Sequence, residues 1–214
     1  MTDEICDIDE LAKTIGTRAA ELPGRVALVG IDGPGASGKS TLATLLAERL
    51  DDAAVVHIDD FYRPSAERPA DAGQIAGNFD LSRLLDQVLR PAAAGTTIRY
   101  QRYDWDHDRL AEWAELAPGT PLIVEGVHAL HPDLSEAYTY RIFCDAPRDV
   151  RLRRGLDRDG EEARPLWEDE WMPAEDRYLA AHAPQLRADV VLESSASGAA
   201  EEPAYAVVDY NSLA

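Results

Sequence analysis

Apolar positions along the chain recur with two different periods. Ile8, Leu11, Ile15, Ala19 and Leu22 fall at helical spacing and predict an amphipathic helix over 8–22 that stops at Pro23-Gly24. Beyond it the apolar residues gather in short runs rich in Val and Ile: Val26 to Ile31, Ala54 to Ile58, Leu122 to Val124, Arg141 to Cys144 and Asp189 to Leu192. Runs of this length without alternation read as parallel strands buried on both faces. Helical stretches are expected between them, at Ser40 to Leu50, Leu81 to Leu89, Ala146 to Leu156 and Pro173 to Ala181. Strands alternating with helices predict an α/β fold, a three-layer α/β/α sandwich on a mainly parallel, doubly wound sheet. The expected organisation is a helix over 1–24 packed on the domain, one domain over 25–192, and a linker and tail over 193–214. ESSASGAAEEP at 193–203 has linker composition, and AYAVVDY after it is read as a loose tail, with an added edge strand as the alternative.

Composition sharpens this picture. A chain of 214 residues with 45% hydrophobic content supports one core. No apolar run reaches the ~20 residues that span a bilayer, and MTDEICDIDE lacks the basic and apolar regions of a secretory signal, so a cytoplasmic protein is expected. The formal net charge is −19, which opposes nucleic-acid and membrane partners. Cys6 and Cys144 have no cysteine neighbour at metal-ligand spacing, and Cys144 closes an apolar run as a small buried hydrophobe.

The charge conflicts with the chain's strongest motif. After the run ending at Ile31 and Asp32 comes GPGASGKS, which fits G-x-x-x-x-G-K-[S/T] with Gly33, Gly38, Lys39 and Ser40 in the fixed places. In such a loop the backbone amides around Gly35, Ala36, Ser37, Gly38 and Thr41 converge on phosphate oxygens. Lys39 bridges the β- and γ-phosphates, and Ser40 offers a hydroxyl to Mg²⁺. Gly33, Gly35 and Gly38 also spell G-x-G-x-x-G, with Asp59 ~20 residues on, the outline of a dinucleotide site. Lys39 and Ser40 have no role in that reading and complete the phosphate loop in the other, which points to ATP and a P-loop NTPase fold. The guanine-reading Asn-Lys-x-Asp and the transporter Leu-Ser-Gly-Gly-Gln signatures are absent, and the length is short for a motor. A small-molecule kinase is left.

HIDDFYRP at 57–64, NFD at 78–80, RYDW at 102–105, IVEG at 123–126 and RLRRGLDRDG at 151–160 follow in this order. With the phosphate loop, this ordered set resembles the uridine kinase and phosphoribulokinase group of P-loop kinases, from about Val26 to Leu192. The second strand delivers Asp59 and Asp60 to the sheet edge where the loop opens. The resemblance implies that Asp59 accepts the proton of the acceptor hydroxyl and helps hold Mg²⁺. Glu125, at a strand end before Gly126, stands where a Walker-B-like acid would ligate the metal. Residues 141–164 carry seven arginines and six acids, a net +1 inside a −19 chain. Arg151, Arg154 and Arg158 share a helix face able to close as a lid over about 157–170. The resemblance implies Arg154 as an acceptor-side contact that also serves ATP, Arg158 as a phosphate contact and catalytic residue beside Lys39 and Asp59, and Arg164 as a further lid residue.

On the acceptor side, Asp80 precedes a helix and reads equally as its N-cap or, by resemblance, as the carboxylate for ribose hydroxyls. Tyr62, Tyr103 and Trp105 are candidate walls for a planar base. Where related uridine kinases carry a pyrimidine-reading histidine five residues after the tyrosine, this chain has Asp108, with His107 one place early. His57 is expected to be packed in its strand, His128, His131 and His182 to be structural or exposed, and Trp167 and Trp171 to pack a helix. The expected activity is transfer of the γ-phosphoryl of Mg-ATP to a small-molecule hydroxyl, foremost the 5′-hydroxyl of uridine or cytidine. Pantothenate, a sugar phosphate or a nucleoside monophosphate is the alternative acceptor, and a non-catalytic ATP-binding regulator the alternative class. A homo-oligomer is left open. In a chain of this charge, Mg²⁺ is expected to be required for tight ATP binding.

Overall fold

The computed structural model describes residues 4–22, 26–71, 73–194 and 204–208. The expected stop at Pro23-Gly24, the linker beyond Ser194 and the tail beyond Val208 lie outside the described residues. Strand β1 (Glu4–Ile5) leads into α1 (Ile8–Ala20), which Asp7 caps by accepting from the Asp9 and Glu10 amides. Then follow β2 (Leu28–Asp32), α2 (Lys39–Arg49), β3 (Ala54–His57) and a 3₁₀ turn (Ile58–Phe61). Helix α3 (Leu81–Leu84) runs through a π turn (Leu85–Leu89) into α4 (Arg90–Ala93). A hairpin of β4 (Ile98–Asp104) and β5 (Arg109–Leu116) precedes β6 (Leu122–Glu125), α5 (Pro132–Ser135) and β7 (Tyr140–Asp145). The chain closes with α6 (Arg148–Asp159), a π turn (Leu166–Trp171) leading into α7 (Met172–His182), β8 (Val190–Ser194) and β9 (Tyr205–Val207).

The main sheet has the order β1-β9-β8-β7-β2-β6-β3, with the five strands from β8 to β3 parallel and β9 antiparallel to β8. The expected mainly parallel α/β/α architecture is thus the observed one. Successive residues of one strand serve opposite faces. Val29, Ile31 and Ile123 pack with Leu11, Ile15, Leu42 and Leu46 on one side. Leu28, Leu122 and Val124 pack with Leu84, Val88 and Leu134 on the other. Leu42 and Leu46 of α2 are fully buried, and each such side chain stabilises the fold by about 2 kcal/mol. The helix that opens on the phosphate loop is therefore anchored along its buried face.

Two expectations fail. Residues 205–207 form a strand instead of a loose tail: Tyr205 is 1% exposed and its hydroxyl donates to the Gly38 carbonyl at 2.8 Å. The alternation through Ala204 to Val208 is short, and the polar segment before it masked the signal. The antiparallel β4–β5 hairpin was not anticipated, because its pattern is mostly half-exposed and mixed with charge. No helix among the described residues is long and apolar enough to cross a membrane.

Candidate active site

Strand β2 ends at Asp32, the loop 33–38 turns, and α2 begins at Lys39. Gly33 sits at φ +146°, where a Cβ would stand 2.0 Å from the Cys144 carbonyl oxygen, so only glycine lets the loop start against β7. Lys39 is 7% exposed and its Nζ donates to the Pro34 carbonyl at 2.8 Å. Ser37 is fully buried and contributes its backbone, the Ser194 hydroxyl donating to its carbonyl at 2.8 Å. Strands β2, β6 and β3 are parallel neighbours, so their carboxyl ends bring the start of α2, Glu125 and the Asp59 turn to one edge. The Ser40 hydroxyl donates to Glu125 Oε1 at 3.2 Å. His57, paired in register with Glu125, shares a 2.6 Å hydrogen bond with the same oxygen. The expectation of a packed His57 is thereby corrected: it ends the edge strand, so its ring is 46% exposed on one side and held by Glu125 on the other.

Charge at this edge is concentrated. Burial pushes the Asp59 carboxyl above its ordinary value, and the Glu125 carboxylate adds to the push against Lys39 and His57. Burial acts upward on Glu125 too, but the His57 hydrogen bond and the Lys39 charge hold it below the usual range. The solvent-accessible Asp59 carboxylate, the buried Glu125 carboxylate and a serine hydroxyl form a hard-oxygen donor set that fits Mg²⁺, which takes one or two carboxylates together with substrate phosphates. Among the described residues no three His, Cys, Asp or Glu side chains converge as a full metal cage.

The arginine stretch divides into distinct roles. Arg154 Nη1 donates to Ser194 Oγ at 2.8 Å and to the Ala36 carbonyl at 3.3 Å, against the loop. Arg158 pairs with Asp159 at 2.7 Å and lies over the Trp167 ring. Arg151 is not a lid residue: it is 5% exposed and pairs at 3.0 Å with the buried Glu175 of α7. Glu175 in turn accepts from the Gly35 amide at 2.8 Å. Arg164 pairs with Glu161 and Glu168 on the surface. Trp167 is 1% exposed and packs with Ala163, Met172 and Ala36, so the expected lid segment 157–170 is anchored in a small core of its own. Sequence reasoning missed the bracing by Glu175, Ser194 and Tyr205. These residues lie 140 to 167 positions from their loop partners, and no local spacing links them.

A cavity of about 830 Å³ opens from this edge. Gly35, Ala36, Gly38, Lys39, Ser40, Thr41, Asp59, Tyr62, Glu125, Arg154 and Arg158 all line it, so most of the predicted site residues share one space. Gly33 and Ser37 lie behind its wall. Beyond Asp59 the lining turns aromatic. Tyr62 packs edge-on to Phe79 with ring centroids 4.6 Å apart and meets Trp105 at 4.7 Å. His128 meets Phe79 at 5.2 Å here, and Trp171, Arg177 and the loop around Gln74 to Gly77 also line the cavity.

Asp80 and Tyr103 do not line the cavity. Asp80 is the N-cap of α3, accepting from the Arg83 amide at 3.0 Å, and stands 3.5 Å from Arg63. Tyr103 is 7% exposed, faces a separate hollow of about 330 Å³, and donates to Asp108 at 2.6 Å. Asp108 also takes the Ser65 amide at 2.9 Å, and the Ser65 and Tyr103 hydroxyls hold its carboxyl down at about 2. The residue at the position of the pyrimidine-reading histidine is therefore part of a structural clasp. Phe79 was legible within the NFD motif. Trp171 and His128 were read as packing or structural, and Arg177 had no motif around it.

A sequence model described as the Phosphoribulokinase / Uridine kinase family matches residues 28–164. A curated uridine kinase of Alkaliphilus metalliredigens is 32% identical over 147 residues, covering 64% of this chain and 70% of that protein. One from Deinococcus deserti is 31% identical over 144 residues, covering 63% and 69%. Among solved structures, one described as a possible uridine kinase from Bacillus stearothermophilus superposes with a TM-score of 0.64 at 27% identity, covering 86% of this chain and 96% of that one.

Proposed function

The chain belongs to the phosphoribulokinase/uridine kinase family of P-loop kinases, and from that premise we propose that it moves the γ-phosphoryl of Mg-ATP to a hydroxyl of a small molecule. The acceptor oxygen bonds to the γ-phosphorus, the bond from that phosphorus to the β,γ-bridging oxygen breaks, and ADP leaves. Asp59 orients the hydroxyl and receives its proton, which passes to solvent. Lys39 and the loop amides beyond Gly35 hold the phosphates, and Arg154 and Arg158 approach them from α6. Ser40, Glu125 and Asp59 would hold Mg²⁺, which when bound neutralises charge on the β- and γ-oxygens.

The observation that carries this reading is the shared cavity: Lys39, the Ser40–Glu125 pair and Asp59 at one end, and a wall of Tyr62, Phe79 and Trp105 at the other. The curated relatives and the aromatic wall favour uridine or cytidine as acceptor. A second reading, an acceptor that carries an anionic group, is favoured by Arg177. This cation lines the cavity with no carboxylate partner among the described residues, in a chain where acids outnumber bases 40 to 21.

ADP release from Mg-ATP, measured with uridine, cytidine, their 5′-monophosphates, pantothenate and ribose 5-phosphate, tests the proposal. Fastest release with a nucleoside supports the first reading, and fastest release with a phosphorylated or carboxylated compound the second. Binding of Mg-ATP without release for any acceptor points to a regulator and refutes the kinase reading.

A further inference from the structure

The proposed transfer gives no task to His128. Its backbone stands at φ +77°, a left-handed conformation that a side-chain-bearing residue keeps only where its surroundings fix it. Here they do. The His128 amide donates to Asp32 Oδ1 at 3.1 Å, while the Leu130 amide and the Tyr178 hydroxyl donate to Oδ2 at 2.8 and 2.6 Å. Asp32 also takes the Gly33 amide at 2.6 Å, so one buried carboxylate ties the start of the phosphate loop to the loop that carries His128. Gly126, at φ +146°, draws that same loop onto the Asp59 turn, since a Cβ there would stand 2.7 Å from Ile58 Cβ.

His128 is 8% exposed and lines the cavity, its ring held edge-on to Phe79 at 5.2 Å and to Tyr178 at 4.4 Å. Burial, with His131 and His182 nearby, depresses its pKa to about 3, so the ring is neutral and carries one N–H. Its Nδ1 is buried without a hydrogen-bond partner among the described residues. A buried N–H without a partner is rarer in proteins than an under-satisfied acceptor, which places the proton on Nε2. Packing alone would be met by a leucine or phenylalanine and would not call for a strained backbone. We infer that His128 is a binding residue for the phosphoryl acceptor, its Nε2–H donating to an oxygen of that molecule. No proton is transferred through the ring. The assignment rests on the kinase reading and adds a specific contact to its acceptor end.

Three variants test it, with the acceptor that gives the fastest ADP release as probe. His128→Phe keeps the ring between Phe79 and Tyr178 and should raise the acceptor KM by about tenfold to a hundredfold, with the Mg-ATP KM within about twofold. His128→Gln restores an N–H near the Nε2 position and should recover most of that loss. His128→Asn accepts the left-handed backbone but places its amide near Nδ1, and should behave like His128→Phe. Equal acceptor KM values in all three variants and the wild type would overturn the assignment while leaving the kinase reading intact. Wild-type protein that releases no ADP with any acceptor would remove the kinase reading and this assignment with it. Should the variants melt early, ¹⁵N shifts of the wild-type ring decide: a proton on Nε2 is expected, and one on Nδ1 would contradict the proposal.

Discussion

At the phosphate-loop end the cavity lining comes largely from one short run, Gly35 to Thr41, whereas the proposed acceptor end draws Tyr62, Phe79, Trp105 and His128 from separate segments. The first end is braced from many directions. Glu175 holds the Gly35 amide, Ser194 the Ser37 carbonyl and Tyr205 the Gly38 carbonyl. The second end is a set of ring contacts over a loop from Gly73 to Gly77. The difference follows from the chemistry. A triphosphate is the same in every ATP-using enzyme and suits a fixed cradle of amides, while an acceptor is met by shape and by a few polar groups placed on loops.

The contrast can be broken from either end. Lys39→Met should lower kcat/KM by about a hundredfold to a thousandfold, read by ADP release, with the fold intact by circular dichroism. A loss below about tenfold would place the main phosphate contact elsewhere. Asp80→Ala should cost about 1 kcal/mol of stability in urea unfolding, as the loss of an N-cap, and move the acceptor KM by no more than about threefold. A tenfold KM change at unaltered stability would return Asp80 to the acceptor end.

That the phosphate loop, Asp59 and Glu125 share one sheet edge was legible because each follows the end of a short apolar run. Asp80 was ambiguous because one carboxylate before a helix serves a cap and a ligand equally well, and the cap is what the Arg83 amide and Arg63 hold in place. Arg151 sat in the expected face of a lid, yet pairs inward with Glu175, a partner 24 residues away on another helix. Such contacts depend on how α6 and α7 pack, which no periodicity within either helix records. The strand at Tyr205 to Val207 is legible only as an alternative to a tail, because three residues after a polar stretch carry little pattern, although its tyrosine reaches the phosphate loop.

Smaller effects sharpen the comparison. Tyr205→Phe removes one hydrogen bond to Gly38 and should cost somewhat under 1 kcal/mol in thermal unfolding, with Mg-ATP affinity falling about twofold. An effect on acceptor KM alone would contradict its place at the phosphate end. Asp108→Asn tests the clasp behind the aromatic wall through pH. The carboxyl's pKa falls from 3.8 to about 2 on folding, so its contribution is present above the unfolded value and is lost as pH falls through about 2. The variant should be less stable than wild type at pH 5, and the gap should close as the pH is lowered to 2. A gap that stays constant with pH would mean that charge is not what the clasp uses.

The two ends meet at Asp59, and the central claim is that this carboxylate serves transfer first, its share in holding Mg²⁺ being secondary to that of Ser40 and Glu125. Mg-ATP affinity and ADP release measured side by side on Asp59→Asn test it directly. The predicted result is a Kd for Mg-ATP within about threefold of wild type and a kcat lowered by about a hundredfold or more. Turnover at the wild-type rate would contradict the claim, and so would a loss of Mg-ATP binding as large as the loss of turnover.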